Sequence, residues 1–380
     1  MAGPAPALQA VILVGGEGTR LRPLTSRQPK PVITLVDRPF LVYMLEWLRG
    51  HGVQDVILSC GFEPTKVREA LGDGAGLGLK LRYVVEPEPR GTAGALKYAD
   101  EQVGGLDERF LMLNGDVLTD VDVTAQLAQH EATGAVGTLG LVPVDDPSAY
   151  GLVLCDDSHA VTGFLEKPAP SQLGGIDRYY ISAGIYVLQR SVLDLIPSGE
   201  NVSIERVIWP ALVGNGLHGS RADGAYWMDI GTPERYLQGT FDILEGNVKT
   251  GVAELLGSSF LAVADDVAAE GRIVPPAVVG AGSTIGAGAH VGSLVVLGRG
   301  VTIGAGARVE RSVVLDGVTV GAGAELTDCI VAPGATIADG AIVRGGAVVG
   351  EDVRIGAGNV LTAGIKVFPG TELPPGAIKF

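Results

Sequence analysis

The chain has little of what a disulfide scaffold, a membrane protein or a nucleic-acid binder requires. Its three cysteines, Cys60, Cys155 and Cys329, are odd in number, far apart and in no metal-ligand spacing. They read as reduced thiols of a cytoplasmic protein. No stretch supplies about 18 consecutive apolar residues, and Met1 to Ala10 lacks the basic and apolar regions of a leader. Neither secretion nor membrane spanning is expected. Basic residues are outnumbered 28 to 43, leaving a net charge of −15, which argues against nucleic acid or an anionic membrane as the main partner. An anionic small substrate then needs a local basic site inside an acidic body. Aromatics are only 5% of the chain, whereas glycine is abundant, at 57 of 380 residues. That length leaves room for two domains with substantial cores.

Two halves follow different patterns. Up to about residue 246, strand-like runs at Val53 to Ser59, Lys80 to Val85, Phe110 to Leu113 and Ala135 to Val142 alternate with amphipathic stretches. Those stretches, Phe40 to Arg49, Pro64 to Leu71, Thr92 to Glu101 and Val121 to Ala132, carry apolar residues at helical spacing. The alternation predicts an α/β fold with a Rossmann-like, mostly parallel sheet and ligands at the carboxyl ends of its strands. A mixed region follows, with strands near Gly151 to Cys155, Ala160 to Leu165, Tyr180 to Leu188 and Ala225 to Asp229, and helices at Ser203 to Leu212 and Pro233 to Glu245. Residues 247–272 read as a connector.

From residue 273 to 380 apolar residues recur every six positions: Val279, Ile285, Val291, Leu297, Ile303 and Val309, and onward to Leu361 and Val367. Two steps, 309 to 314 and 326 to 331, are one residue short. Residues 271–380 hold 23 glycines, about a fifth against a usual ~7%, and their only aromatics are Phe368 and Phe380. A hexapeptide period means a parallel β-helix, with one apolar residue per side pointing into a narrow core. Sixteen repeat positions make about five coils. His290, the one histidine there, reads as a solvated coil position. The coils present no convergent polar group, so assembly or regulation is the expected role.

The first apolar run, Gln9 to Val14, leads into Gly15, Gly16, Gly18 and Thr19, with Arg20, Arg22 and Lys30 close behind. Glycine lets a backbone approach a polyanion, and successive N–H groups form an anion nest. Arginine adds forked donors and lysine a point charge, so the loop suits phosphates. It is neither a dinucleotide fingerprint, since Leu21 stands where a third glycine belongs, nor a P-loop, which needs Gly-Lys-Ser/Thr. Asn114-Gly115-Asp116 and Trp227-Met228-Asp229-Ile230-Gly231-Thr232 each put an aspartate after a strand. Alone, each is equally a turn or helix-capping residue. Phe164-Leu165-Glu166-Lys167-Pro168 precedes a proline turn, and Glu86 precedes the turn Gly91-Thr92-Ala93-Gly94.

Taken together and in this order, these segments resemble the signature of the sugar-1-phosphate nucleotidyltransferases, and residues 273 to 370 resemble the left-handed β-helix appended to some of them. Handedness comes from that resemblance, as do the roles. It implies a nucleotidyltransferase domain over 1–246 in which Arg20 and Lys30 hold the triphosphate on Gly15, Gly16, Gly18 and Thr19. Asp116 and Asp229 would hold Mg²⁺, Lys167 the sugar phosphate, and Gly151, Glu166 and Ser182 the sugar. Ser182 stands where the family usually has asparagine. Glu86, Gly91 and Thr92 resemble the base-reading segment of the guanylyl branch, as do Ser203-Ile204-Glu205-Arg206 and Trp209-Pro210. The expected partners are therefore GTP and a sugar 1-phosphate, with mannose 1-phosphate favoured, in a homo-oligomer (dimer or tetramer) with β-helix contacts. Glucose 1-phosphate with UTP, dTTP or ATP, a promiscuous enzyme, and a catalytically silent regulatory subunit are the alternatives.

Overall fold

The computed structural model describes residues 8–379, so most of the segment scanned for a leader, and Phe380, lie outside it. The chain divides into two compact units. One comprises the residues up to Glu17 with Leu41–Trp227, the other Gly18–Phe40 with Met228–Phe380.

The first unit is built on a nine-stranded sheet. Leu8–Leu13 lies near its centre, parallel to Val53–Cys60 on one side and Arg109–Asn114 on the other, with Val11 facing Ile57 and Met112. Lys80–Val85 extends the parallel part. The long strand Tyr179–Gln189 joins antiparallel to Arg109–Asn114 and brings in Gly137–Val144 and Gly151–Cys155. These strands read as continuous apolar runs because helices cover both faces of such a sheet. Val11, Ile57, Phe110, Met112, Leu139 and Leu188 are all inaccessible to solvent. Helices form at Pro64–Leu71, Gly91–Val103 and Val123–Thr133. Ser203 caps a π-helical turn, Ile204–Ile208, which runs into Trp209–Leu212 where one helix was expected. The strand Leu217–Arg221 escaped the sequence pattern because Leu217 is its only large apolar residue.

In the second unit three parallel sheets of seven, seven and six short strands stack as a left-handed β-helix. The period is realised as columns: Val279, Leu297, Val314, Val331, Val349 and Val367 succeed one another in one sheet. Ile285, Ile303, Val320, Ile337, Ile355 and Leu373 do so in the next. The stack reaches six full coils and part of a seventh rather than about five. Its first strands, Leu261–Val263 and Ala268–Ala269, fall in the stretch read as connector, where the apolar–glycine signature is missing. The two short steps are turned by Arg311 and Asp328, both left-handed at φ 45° and 49°, and Arg311 Nε donates to Asp328 Oδ1 at 2.7 Å. His290 sits half-buried with Nε2 3.4 Å from Glu310 Oε1.

No helix among the described residues is long and apolar enough to cross a membrane. All three cysteines are free. Burial pushes the thiols of Cys60 and Cys329 up to about 12 and that of Cys155 to about 11, which leaves them inert at neutral pH.

Candidate active site

In the first unit the carboxyl ends of three adjacent parallel strands converge. Val14 N–H donates to the Ser59 carbonyl and Gly115 N–H to that of Leu13, both at 2.9 Å. A methyl on Gly61 would stand 2.8 Å from the Gly15 carbonyl, and one on Gly115 2.7 Å from that of Leu13. Glycine is therefore a steric requirement where these strand ends cross. Gly15 and Gly16 are exposed, and the space where a Gly16 side chain would stand is open. Beside Gly15 lies Glu86, half-buried, whose Oε1 accepts from the buried Ser59 hydroxyl at 2.9 Å. Asp116 follows the strand Arg109–Asn114 but does not cap the next helix. Asp122 does, accepting from Ala125 N–H. The capping explanation of Asp116 is thereby removed.

Gly91, at φ 66°, starts the helix Gly91–Val103. Its turn is wired to the Ser203 segment: Ala93 N–H donates to the Val202 carbonyl, and Val202 N–H donates to that of Arg90. The Thr92 hydroxyl donates to Glu205 Oε2 and accepts from Ile204 N–H, both at 2.8 Å. That side chain is committed inside the protein, so only the Thr92 backbone remains for a ligand.

Glu166 ends the strand Val161–Glu166, and a methyl on Gly151 would lie 3.2 Å from its Oε2. Burial, reinforced by the nearby Glu205 carboxylate, raises the Glu166 carboxyl above its ordinary range. Lys167 adopts φ 51° and donates its N–H to Tyr150 at 2.8 Å, leaving Nζ exposed, 3.9 Å from Glu166 Oε1. Ser182 Oγ donates to Tyr186 Oη at 3.1 Å. Trp227 packs edge-on against Tyr150 and donates to the Ala183 carbonyl at 2.8 Å. Gly151, Glu166, Lys167 and Ser182 thus share one region of this unit.

The second unit holds the basic part of the loop. Gly18 stands at φ 62°, its carbonyl accepting from Thr25 Oγ1 at 2.7 Å, and a one-turn 3₁₀ helix, Thr19–Leu21, follows. Arg20 is exposed, while Lys30 is buried, its Cβ 3.2 Å from where a Gly18 side chain would begin. Asp229 pairs with Arg235, and Thr232, not Asp229, caps the helix Pro233–Glu245. A methyl on Gly231 would lie 3.0 Å from Arg20 Nη2 and 3.1 Å from Asp229 Oδ2. The guanidinium and the carboxylate therefore flank that glycine, a role the motif alone did not reveal. Asp116 and Asp229 offer hard oxygen donors at strand ends, the chemistry by which Mg²⁺ is held alongside substrate phosphates.

A Rossmann-like sheet with an exposed glycine loop at its strand ends is an architecture that suits nucleotide phosphates. Residues 9–246 match the nucleotidyl transferase family and 273–374 the GMPPB C-terminal domain. The chain belongs to the nucleotidyl transferase family. It is 38% identical over 291 residues to the mannose-1-phosphate guanylyltransferase of Mycobacterium tuberculosis, covering 75% of this chain and 77% of that one. To the mannose-1-phosphate guanyltransferase of Gibberella zeae it is 37% identical over 256 residues, 66% and 68% of the two chains. Among solved structures, HddC from Yersinia pseudotuberculosis complexed with GMP-PN superposes with a TM-score of 0.53 at 27% identity, over 62% of this chain and 99% of that one.

Proposed function

We propose that the protein transfers a guanylyl group from GTP to α-D-mannose 1-phosphate, releasing pyrophosphate and GDP-mannose. The observation that carries this reading is Glu86. It is an acceptor-only carboxylate anchored by Ser59 beside the glycine loop. Guanine presents two neighbouring donors on its pairing edge, N1–H and the N2 amino group, which one carboxylate receives together. Thymine and uracil offer a single donor there, and a base that leaves a buried acceptor unpaired is rejected strongly.

In the reaction an oxygen of the sugar phosphate attacks the α-phosphorus. The new P–O bond forms as the bond to the β-phosphate bridging oxygen breaks, and the electron pair leaves with pyrophosphate. The nucleophile is already anionic, so no general base is needed. Positioning and charge neutralisation carry catalysis. Gly15, Gly16, Gly18 and Thr19 receive the triphosphate on backbone N–H groups, and Arg20 and Lys30 hold the departing pyrophosphate. Lys167 places the sugar phosphate, while Gly151, Glu166 and Ser182 line the sugar. Gly91 and Thr92 complete the base site through their backbone. Asp116 and Asp229 would hold Mg²⁺, which would supply charge to offset the repulsion between an anionic nucleophile and an anionic triphosphate. A cytoplasmic homo-oligomer, dimer or tetramer, with β-helix contacts completes the reading, and sedimentation at micromolar concentration reads its size.

Pyrophosphate release from GTP and mannose 1-phosphate, titrated with Mg²⁺, tests the assignment. Either Asp116→Asn or Asp229→Asn removes most turnover, and the double variant loses little more than the worse single one, because the two serve one ion. Full activity without divalent metal, or additive losses, contradicts the shared site. Failure to release pyrophosphate with any triphosphate favours a silent subunit.

A further inference from the structure

The basic loop is held from the far end of the chain. Lys366, in the final, partial coil of the β-helix, donates from Nζ to the Arg20 carbonyl at 3.3 Å. Its charge also lies near Glu234, whose carboxylate is drawn below its usual range mainly by the Thr232 hydroxyl and, more weakly, by Lys366. Glu234 lies in the first turn of the helix Pro233–Glu245, and the next residue, Arg235, pairs with Asp229. A little further along the loop, Arg27 Nη1 lies 2.7 Å from Asp352 Oδ2 and 3.6 Å from Glu351 Oε2, on the preceding turn of the β-helix. All these residues belong to one unit.

Within the loop itself, order comes from short-range bonds: the 3₁₀ turn Thr19–Leu21, the Thr25–Gly18 hydrogen bond, and the backbone turns that join Leu24 to Leu21 and Ser26 to Pro23. Such a segment loses substantial conformational entropy on ordering, and Arg20 is useful only if its backbone is already placed when phosphate arrives. One lysine ties the Arg20 backbone while its charge reaches the start of the helix Pro233–Glu245, whose Arg235 pairs with Asp229. Arg20 and Asp229 are also the two groups that flank Gly231.

We propose that Lys366 is a positioning residue for nucleotide binding, and that the final coils of the β-helix hold the triphosphate loop in its working conformation. The inference rests on the reading of Arg20 as a triphosphate ligand. It gives the β-helix a role in the site of its own chain, beyond assembly. Deleting the coils then alters catalysis as well as mass.

Steady-state kinetics of the full-length chain test it. Lys366→Met raises KM for GTP about tenfold while kcat changes less than about twofold, with KM for mannose 1-phosphate and the melting temperature unchanged. Lys366→Arg, which keeps the charge and a donor, restores the GTP value. Combined with Arg20→Ala, Lys366→Met adds little, because both act through one loop. A wild-type KM for GTP in Lys366→Met, or a rise in both KM values with a lowered melting temperature, overturns the proposal. If Arg20→Ala raises KM for GTP and Lys366→Met does not, only the lysine's role falls. If Arg20→Ala itself leaves GTP binding intact, the phosphate reading of the loop fails and takes this inference with it.

Discussion

Gly231 has no side chain because two charged groups occupy the space on either side of where one would be. Its φ is not left-handed, so alanine fits the backbone, and its methyl meets the ends of Arg20 and Asp229 at 3.0 and 3.1 Å. Those ends are flexible and swing aside at small cost to the fold, but they are the groups proposed to hold the triphosphate and the metal. Gly231→Ala accordingly lowers kcat/KM about a hundredfold, the scale of a 1 Å misplacement, while the melting temperature moves by only a few degrees. An unfolded or fully active variant contradicts this. A different residue governs the response to acid. His130 is buried, with Nδ1 2.9 Å from Thr138 Oγ1 and Nε2 3.0 Å from the Gln189 amide. Burial, with help from Arg109 and His218, pulls its pKa down from 6.5 to about 4. Between those values the unfolded chain binds the extra proton, so this contribution to stability is complete above about pH 6.5 and declines as pH falls toward about 4. Denaturant unfolding at pH 7 and pH 5 checks it: wild type loses more stability between them than His130→Gln. Equal losses contradict the assignment.

At the level of elements, legibility followed how much of a segment's pattern is dictated by burial. The hexapeptide columns were readable because each of Ile285, Ile303, Val320 and Ile337 faces the same narrow core. The opening strand Ala268–Ala269 was not, since both residues are exposed alanines. The strands before Gly15 and Asp116 were legible for the same reason, being inaccessible to solvent along most of their length. What sequence could not supply was the direction of polar side chains. Thr92 belongs to a base-reading motif, yet its hydroxyl joins the turn to Glu205 and Ile204. Ser182 stands in a sugar-reading position, and its hydroxyl donates to Tyr186. Asp116 and Asp229 were ambiguous until Asp122 and Thr232 emerged as the caps. The Thr92 wiring has a measurable consequence. Thr92→Val leaves the Ile204 N–H without its acceptor and Glu205 Oε2 with the Ser203 hydroxyl alone, a loss of about 1–3 kcal/mol for an unsatisfied buried donor. The denaturation midpoint falls and KM for GTP rises, whereas an unchanged midpoint means the turn is held by its backbone bonds alone.

At the scale of the whole molecule, a strongly acidic chain still brings several cations together on its opening loop. Arg20 and Lys30 gather on one short segment, and Lys366 reaches that segment from the β-helix. Of the proposed groups, Gly15, Glu86, Asp116, Glu166 and Lys167 belong to the first unit and Arg20, Lys30 and Asp229 to the second. The signature at the start of the chain is therefore cut between units at Glu17 and Gly18, and the β-helix belongs with its basic half. The central claim is the choice of base and sugar, and a competition reads it most directly. The protein is given GTP, ATP, UTP and dTTP in equal amounts with mannose and glucose 1-phosphates and Mg²⁺, and the nucleotide sugars formed are resolved by mass. GDP-mannose is the predominant early product if Glu86 selects guanine and the Glu166 region selects mannose. Predominance of a UDP-, dTDP- or ADP-sugar contradicts the account.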